Sequence, residues 1–193
     1  MTLPNGLSIL RMGLVPWFVI ALLQGRHGQA LVVFLLAALT DALDGFLARS
    51  LDQASSLGAY LDPIADKLLI VSAFVLLAWP GGPAPRIPLW ISVLVIARDL
   101  LILLIAAVMF AALGHLDFPP TRLGKANTLC QVVAVGLVLV ASMLPQVTLA
   151  ARIALWLVAA LTIGSSLQYL WRLDRLVAAR SEADEASSGG LQS

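Results

Sequence analysis

The feature that most restricts the fold is a repeated one: apolar runs of roughly twenty residues, separated by short breaks rich in Gly, Pro and charge. Runs such as LIVSAFVLLAW (69–79) and LILLIAAVMFAAL (101–113) are long enough to enter hydrocarbon. There every backbone N–H and C=O must be satisfied within the segment, which leaves the α-helix as their form. The sequence therefore predicts an all-α integral membrane protein with six transmembrane helices, over about 9–24, 30–49, 57–79, 89–113, 125–144 and 151–171. A short N-terminal interfacial segment, punctuated by Pro4 and Asn5, precedes the first. Composition agrees, with 60% hydrophobic and 12% charged residues and a mean hydropathy of +0.95, outside the range of soluble domains. We read one transmembrane domain over 1–175 and a polar, Ser- and Gly-rich tail over 176–193 that is expected to be disordered.

The net charge of +1 says nothing about nucleic acid, no basic run long enough to suggest it occurs, and no nucleic-acid partner is expected. Cys130 stands alone, so there is no disulfide framework. The start lacks a basic region followed by a cleavage site and reads as retained. An even number of spans puts both termini on one side. That side carries Arg11, Arg49, Arg122, Lys125, Arg172, Arg175 and Arg180 against Arg26, Arg86 and Arg152 on the other, which makes it cytoplasmic by the positive-inside rule. A bacterial inner membrane is the expected location.

Against this apolar background, DALDGFLARSLDQASSLGAYLDPIAD (41–66) is anomalous. Asp41 and Asp44 are three apart and Asp62 and Asp66 four apart, so each pair shares a helix face. One pair closes the second helix and the other opens the third, so both meet at the cytoplasmic interface. A carboxylate at membrane depth costs a few kcal/mol. Four are tolerated only with partners, and bound cations are the partners we infer. Oxygen-only donors suit Mg²⁺ or Mn²⁺, and two ions suit a displacement at phosphorus. Gly45 and Gly58 leave room for a ligand to approach the backbone, and Arg49 can grip phosphate oxygens. Pro63 frees a carbonyl inside the third helix.

The spacing Asp-x2-Asp-Gly-x2-Ala-Arg-x8-Gly-x3-Asp-x3-Asp, met by Asp41, Asp44, Gly45, Ala48, Arg49, Gly58, Asp62 and Asp66, resembles the signature of the CDP-alcohol phosphotransferase (CDP-alcohol phosphatidyltransferase) family. The resemblance implies the six-helix fold of that family and a metal-dependent transfer of a phosphatidyl group from CDP-diacylglycerol to an alcohol, with release of CMP. Carried over by position, it implies Asp41, Asp44, Asp62 and Asp66 as metal ligands and Asp66 also as general base. Asp44, Gly45, Ala48, Arg49 and Gly58 become CDP-binding positions, and a homodimer is implied.

LPNGLSILR near the start, ARD at 97–99 and GKANTLCQ at 124–131 resemble the phosphatidylglycerophosphate synthase and cardiolipin synthase branch. This makes Arg11, Arg98 and Lys125 candidate contacts for the acceptor phosphate. Asp99 and Asn127 stand where users of glycerol 3-phosphate often have Glu and Lys, which favours phosphatidylglycerol as acceptor and a cardiolipin synthase-like activity. The alternative is a CDP-diacylglycerol–glycerol-3-phosphate 3-phosphatidyltransferase.

Other readings stay open at individual positions. Arg98 could pair with Asp99 rather than with substrate. Lys67 reads as charge balancing or snorkelling rather than catalysis. Thr128 and Gln131 could line a pocket or bridge helices. Trp17, Trp79, Trp90, Trp156 and Trp171 read as interface anchors, and His27 and His115 receive no role. A cation-coupled transporter would also bury carboxylates, but near the bilayer midplane between repeated halves. Here both pairs sit toward one face and no internal repeat is visible.

Overall fold

The computed structural model describes residues 3–51, 56–81, 86–113 and 122–189, with backbone alone described for 3–9, 41–51, 56–66, 106–113, 122, 170 and 172–189. Six helices follow one another: α1 Leu3–Leu23, α2 His27–Leu51, α3 Ser56–Ala78, α4 Leu89–Leu113, α5 Arg122–Ala141 and α6 Thr148–Gly189, the last entered through a 3-10 turn at Pro145–Val147. No strand occurs among the described residues. Every expected helix is present, and α2, α3 and α4 lie within three residues of their expected bounds.

The helix ends extend beyond the expected spans. The expected N-terminal segment is continuous in its backbone with the first span, since α1 runs from Leu3. Pro4 falls in its first turn, where the missing N–H has no intrahelical acceptor to lose. At the other end the backbone of α6 continues as helix to Gly189. The run LVAARSEADEA within it is rich in Ala, Leu, Arg and Glu, all strong helix formers.

The breaks have local causes. Gly25 adopts φ +69°, a conformation that only Gly takes without cost. It lets Gly25 N–H donate to Leu22 O (3.0 Å) and Arg26 N–H to Ala21 O (2.9 Å), closing α1 with a Schellman cap. The α5–α6 connection tightens through Met143 N–H and Leu144 N–H, both donating to Val140 O at 2.9 and 2.8 Å, before Pro145 begins the 3-10 turn. Ile87 N–H reaches back to Leu77 O (3.0 Å) and so ties the α3–α4 loop to the end of α3.

α1 packs on α2 and α3, α5 packs along α6, α2 also meets α5, and α4 rests on α6 with a lighter contact to α3. Small residues allow the close approach: Ala30, Ala37, Ala73 and Ala134 are fully buried, the device by which membrane helices maximise contact. Between them sit Phe18, Phe34, Ile70, Phe74, Leu77 and Leu139, with the Phe18 and Phe34 rings 5.8 Å apart and tilted by 44°. The buried Ser92 hydroxyl donates to Phe74 O at 3.0 Å and links α4 to α3. Phe74→Ala is expected to destabilise the bundle by about 3–5 kcal/mol, read as a lowered thermal midpoint in detergent.

The outer surface is apolar on all six helices, through residues such as Trp17, Leu35, Val75, Leu104, Val133 and Leu157. Among the described residues, two helices are long and apolar enough to cross a membrane, Leu123–Ala141 and Pro145–Tyr169, while Leu10–Leu23, His27–Thr40 and Lys67–Ala78 form shorter apolar stretches. All five tryptophans assigned to interfaces are exposed, and Trp90 and Trp156 lie against one another at 5.3 Å.

Candidate functional site

A cavity of about 510 Å³ opens among α3, α4, α5 and α6. α3 contributes Lys67, Leu68 and Val71, α4 contributes Arg98, Asp99, Ile102 and Leu103, α5 contributes Gly124, Lys125 and Thr128, and α6 contributes Tyr169. The spacing within each helix explains the convergence. Lys67 and Val71 are one turn apart on α3, as are Arg98 and Ile102 on α4 and Gly124 and Thr128 on α5, so each helix turns one face inward.

Among the described residues, three cations and one carboxylate meet there. Asp99, 6% exposed at the side chain, accepts from Lys67 Nζ at 2.5 Å and from Arg98 Nη1 at 2.8 Å. Arg98 also donates from Nε to Ser165 Oγ at 3.3 Å, and its guanidinium lies over the Tyr169 ring at 5.9 Å from the centroid. Ser165 in turn donates to Thr162 O at 3.0 Å. The guanidinium has five N–H donors in a planar fork, and these contacts use two. Among the described lining residues the one carboxylate, Asp99, does not balance Lys67, Arg98 and Lys125 together. These residues make one side of the cavity cationic and its walls aliphatic, a combination that suits an anionic headgroup with apolar chains.

Of the three residues expected to contact an acceptor phosphate, Arg98 and Lys125 come together here, while Arg11 is fully buried on α1 and does not line the cavity. The two readings of Arg98 coexist, since it pairs with Asp99 and still faces the cavity. Lys67 balances the charge of Asp99 rather than reaching away from the helix bundle. Charge balancing is one of the roles the sequence offers for Lys67, and only its partner, 32 residues further on, is not legible there. Thr128 lines the cavity and turns its hydroxyl back to Gly124 O at 3.3 Å, so it bridges no helices. Sequence reasoning gave no part to Ser165 or Tyr169. A short hydroxyl and an aromatic ring one turn apart on α6 are a signal only once Arg98 is known to face them.

Asp41, Asp44, Gly45, Ala48 and Arg49 lie on α2, and Gly58, Asp62 and Asp66 on α3; their side chains are outside the described set. The backbone is helical through both groups, and only residues 52–55 separate the two helices. Asp66 immediately precedes Lys67, so the second carboxylate pair ends one residue from the cavity. Among the described residues no group of three or more His, Cys, Asp or Glu occurs.

Residues 1–164 match the family described as CDP-alcohol phosphatidyltransferase. The chain is 36% identical over 183 residues to a cardiolipin synthase (CMP-forming) of Homo sapiens, a match covering 86% of this chain and 59% of that protein. It is 39% identical over 141 residues to a probable phosphatidylglycerophosphate synthase of Mycobacterium tuberculosis, covering 70% and 64%. It is also 35% identical over 175 residues to the CDP-diacylglycerol–glycerol-3-phosphate 3-phosphatidyltransferase of Haemophilus influenzae, covering 87% and 91%. The chain thus spans about three fifths of the length of the first two relatives and nearly all of the third. No solved structure matches.

Proposed function

The chain belongs to the CDP-alcohol phosphatidyltransferase family, and from that premise we propose that it is a membrane-embedded transferase moving a phosphatidyl group from CDP-diacylglycerol to a glycerol-based acceptor, with release of CMP. The observation that carries this reading is the cavity, where among the described lining residues Lys67, Arg98 and Lys125 outnumber Asp99, one residue along the chain from Asp66. In this reading Arg98 and Lys125 hold the acceptor's phosphate.

The acceptor we favour is phosphatidylglycerol, giving a cardiolipin synthase-like product. Leu68, Val71, Ile102 and Leu103 line the cavity, and Leu68 and Leu103 also belong to the exposed outer surface, so a chain-bearing acceptor has an apolar path to the site. The second reading takes glycerol 3-phosphate, and the nearly full-length match to the Haemophilus influenzae transferase favours it. Six membrane crossings are part of the proposal, supported by the apolar outer face that every helix presents. The site then faces the cytoplasm of a bacterial inner membrane, in a homodimer as the family resemblance implies.

Asp41 and Asp44 near the end of α2, with Asp62 and Asp66 in the first half of α3, would hold two divalent cations. Continuous helix over both groups keeps each pair on one face, and four carboxylates are a donor set suited to hard ions. Bound there, Mg²⁺ or Mn²⁺ supplies charge neutralisation for the pyrophosphate and the departing CMP. Arg49 grips phosphate oxygens, while Gly45, Ala48 and Gly58 keep the helix surfaces low beneath the nucleotide, with Asp44 beside it. Asp66 takes the proton of the acceptor hydroxyl as its oxygen bonds to the phosphatidyl phosphorus. The phosphorus–oxygen bond to CMP breaks, and CMP leaves with the electron pair.

The test is CMP release by purified protein in detergent with CDP-diacylglycerol and Mg²⁺, offered phosphatidylglycerol or glycerol 3-phosphate. Release with phosphatidylglycerol is the expected result. Release only with glycerol 3-phosphate moves the protein to the second reading, and silence with both removes the glycerol-based acceptor.

A further inference from the structure

One turn beyond the cavity-lining residues, α5 carries buried polar atoms with no hydrogen-bond partner among the described residues. Gln131 is fully buried, and both its Nε2 and its Oε1 lack a hydrogen-bond partner. Asn127, also fully buried, accepts from Thr162 Oγ1 at 3.1 Å, but its Nδ2 has no acceptor. An unpaired buried polar group costs about 1–3 kcal/mol, so three such atoms within one helical turn would be a heavy burden without a guest.

Their position indicates where the guest comes from. Gly124, Asn127, Thr128 and Gln131 follow the spacing i, i+3, i+4, i+7, which is one face of a helix. The first and third line the cavity. Helical side chains lean toward the N-terminus, which directs Gln131 back toward Thr128 and the cavity rather than deeper into the bundle. The same helix face thus carries both the cavity wall and the unsatisfied amides. The links Arg98–Ser165, Ser165–Thr162 and Thr162–Asn127 tie the two levels together through α6.

We propose that Asn127 and Gln131 form an internal subsite for a hydroxyl group, contiguous with the cavity. An amide offers one donor group and one acceptor, which matches a hydroxyl that both donates and accepts, and not an anion or an apolar chain. Two sources share that chemistry: a resident water, or a hydroxyl of the acceptor's glycerol. The second source rests on the transferase reading above. On that reading the cations hold the phosphate while the amides read the polyol.

Gln131→Met, made in the full chain and purified in detergent, separates the cases by two measurements. The first is the thermal midpoint without substrates. If a guest occupies the site, loss of the amide lowers the midpoint by roughly 3–10 °C. The second compares glycerol 3-phosphate, or phosphatidylglycerol if that is the acceptor used, with its analogue lacking the glycerol C2 hydroxyl. If the acceptor hydroxyl is the guest, the natural chain discriminates against the deoxy analogue at least about tenfold in kcat/KM, and Gln131→Met erases the difference.

A lowered midpoint without acceptor discrimination assigns the subsite to water. An unchanged or raised midpoint together with no discrimination overturns the proposal, because the amides are then dry. Failure of Gln131→Met to fold where Gln131→Asn folds has the same meaning as a lowered midpoint. Failure of both overturns the proposal, since side-chain volume and not the amide is then what the site needs. If the natural chain releases no CMP with any acceptor, the transferase reading falls while the midpoint measurement still decides the subsite.

Discussion

Asp66→Asn is expected to lower CMP release by about 10²- to 10⁴-fold, the usual contribution of a positioned general base, while leaving the helical bundle intact. Asparagine keeps the shape of aspartate and removes the capacity to take a proton. It also removes an anionic ligand from the proposed cation site, so the true loss should lie at the upper end. Asp66 lies within α3 (Ser56–Ala78) and immediately precedes Lys67, whose ammonium is bonded to Asp99 at 2.5 Å. The variant must therefore be checked for folding by its elution and circular dichroism before its activity is read. Turnover close to that of the natural chain in a folded variant would remove Asp66 from the role of base.

Chelation is the second large effect. EDTA is expected to stop CMP release completely, and Mg²⁺ or Mn²⁺ to restore it. The argument is electrostatic: four carboxylates brought together as proposed would repel one another, and their like charge would have to be met. The described cations cannot meet it all, because Lys67 and Arg98 are already engaged with Asp99. Activity indifferent to EDTA would leave the four aspartates without their proposed partners, and Arg49 would then have to neutralise the departing phosphate alone.

The helical architecture was legible because its signals are coarse. Gly25, Pro80 and Pro145 each stand where a helix gives way, and runs such as LIVSAFVLLAW admit no other backbone form in hydrocarbon. What was illegible depends on weaker or longer-range terms. Pro4 and Asn5 suggested a break, but Pro in the first turn of a helix is no breaker. From 176 the sequence turns polar and its composition alone suggests a disordered tail, whereas Ala, Arg and Glu can sustain a helix without an apolar face.

The carboxylate spacing was legible at the level of residues, since helical register alone pairs Asp41 with Asp44 and Asp62 with Asp66. The cavity was only half legible. Arg98 and Lys125 were identified through resemblance, but Lys67, Ser165 and Tyr169 were not, because their relation to Arg98 is one of distance in space: Ser165 is 67 residues away in the chain. For Gln131 the sequence offers two roles, lining a pocket or bridging helices; among the described residues its buried amide bonds no other helix, and it is not one of those that line the cavity.

The hold on Arg98 has a consequence for how the cavity binds. A free arginine side chain gives up rotamer freedom worth about 2 kcal/mol when it is fixed. Here the carboxylate of Asp99, the hydroxyl of Ser165 and the ring of Tyr169 have fixed the guanidinium in advance. On the proposed reading an arriving phosphate would meet a preorganised fork and be spared that ordering entropy. Lysine, with a single ammonium, neither stacks on Tyr169 as a plane nor offers the fork, so Arg98→Lys would keep the charge and forfeit the preorganisation.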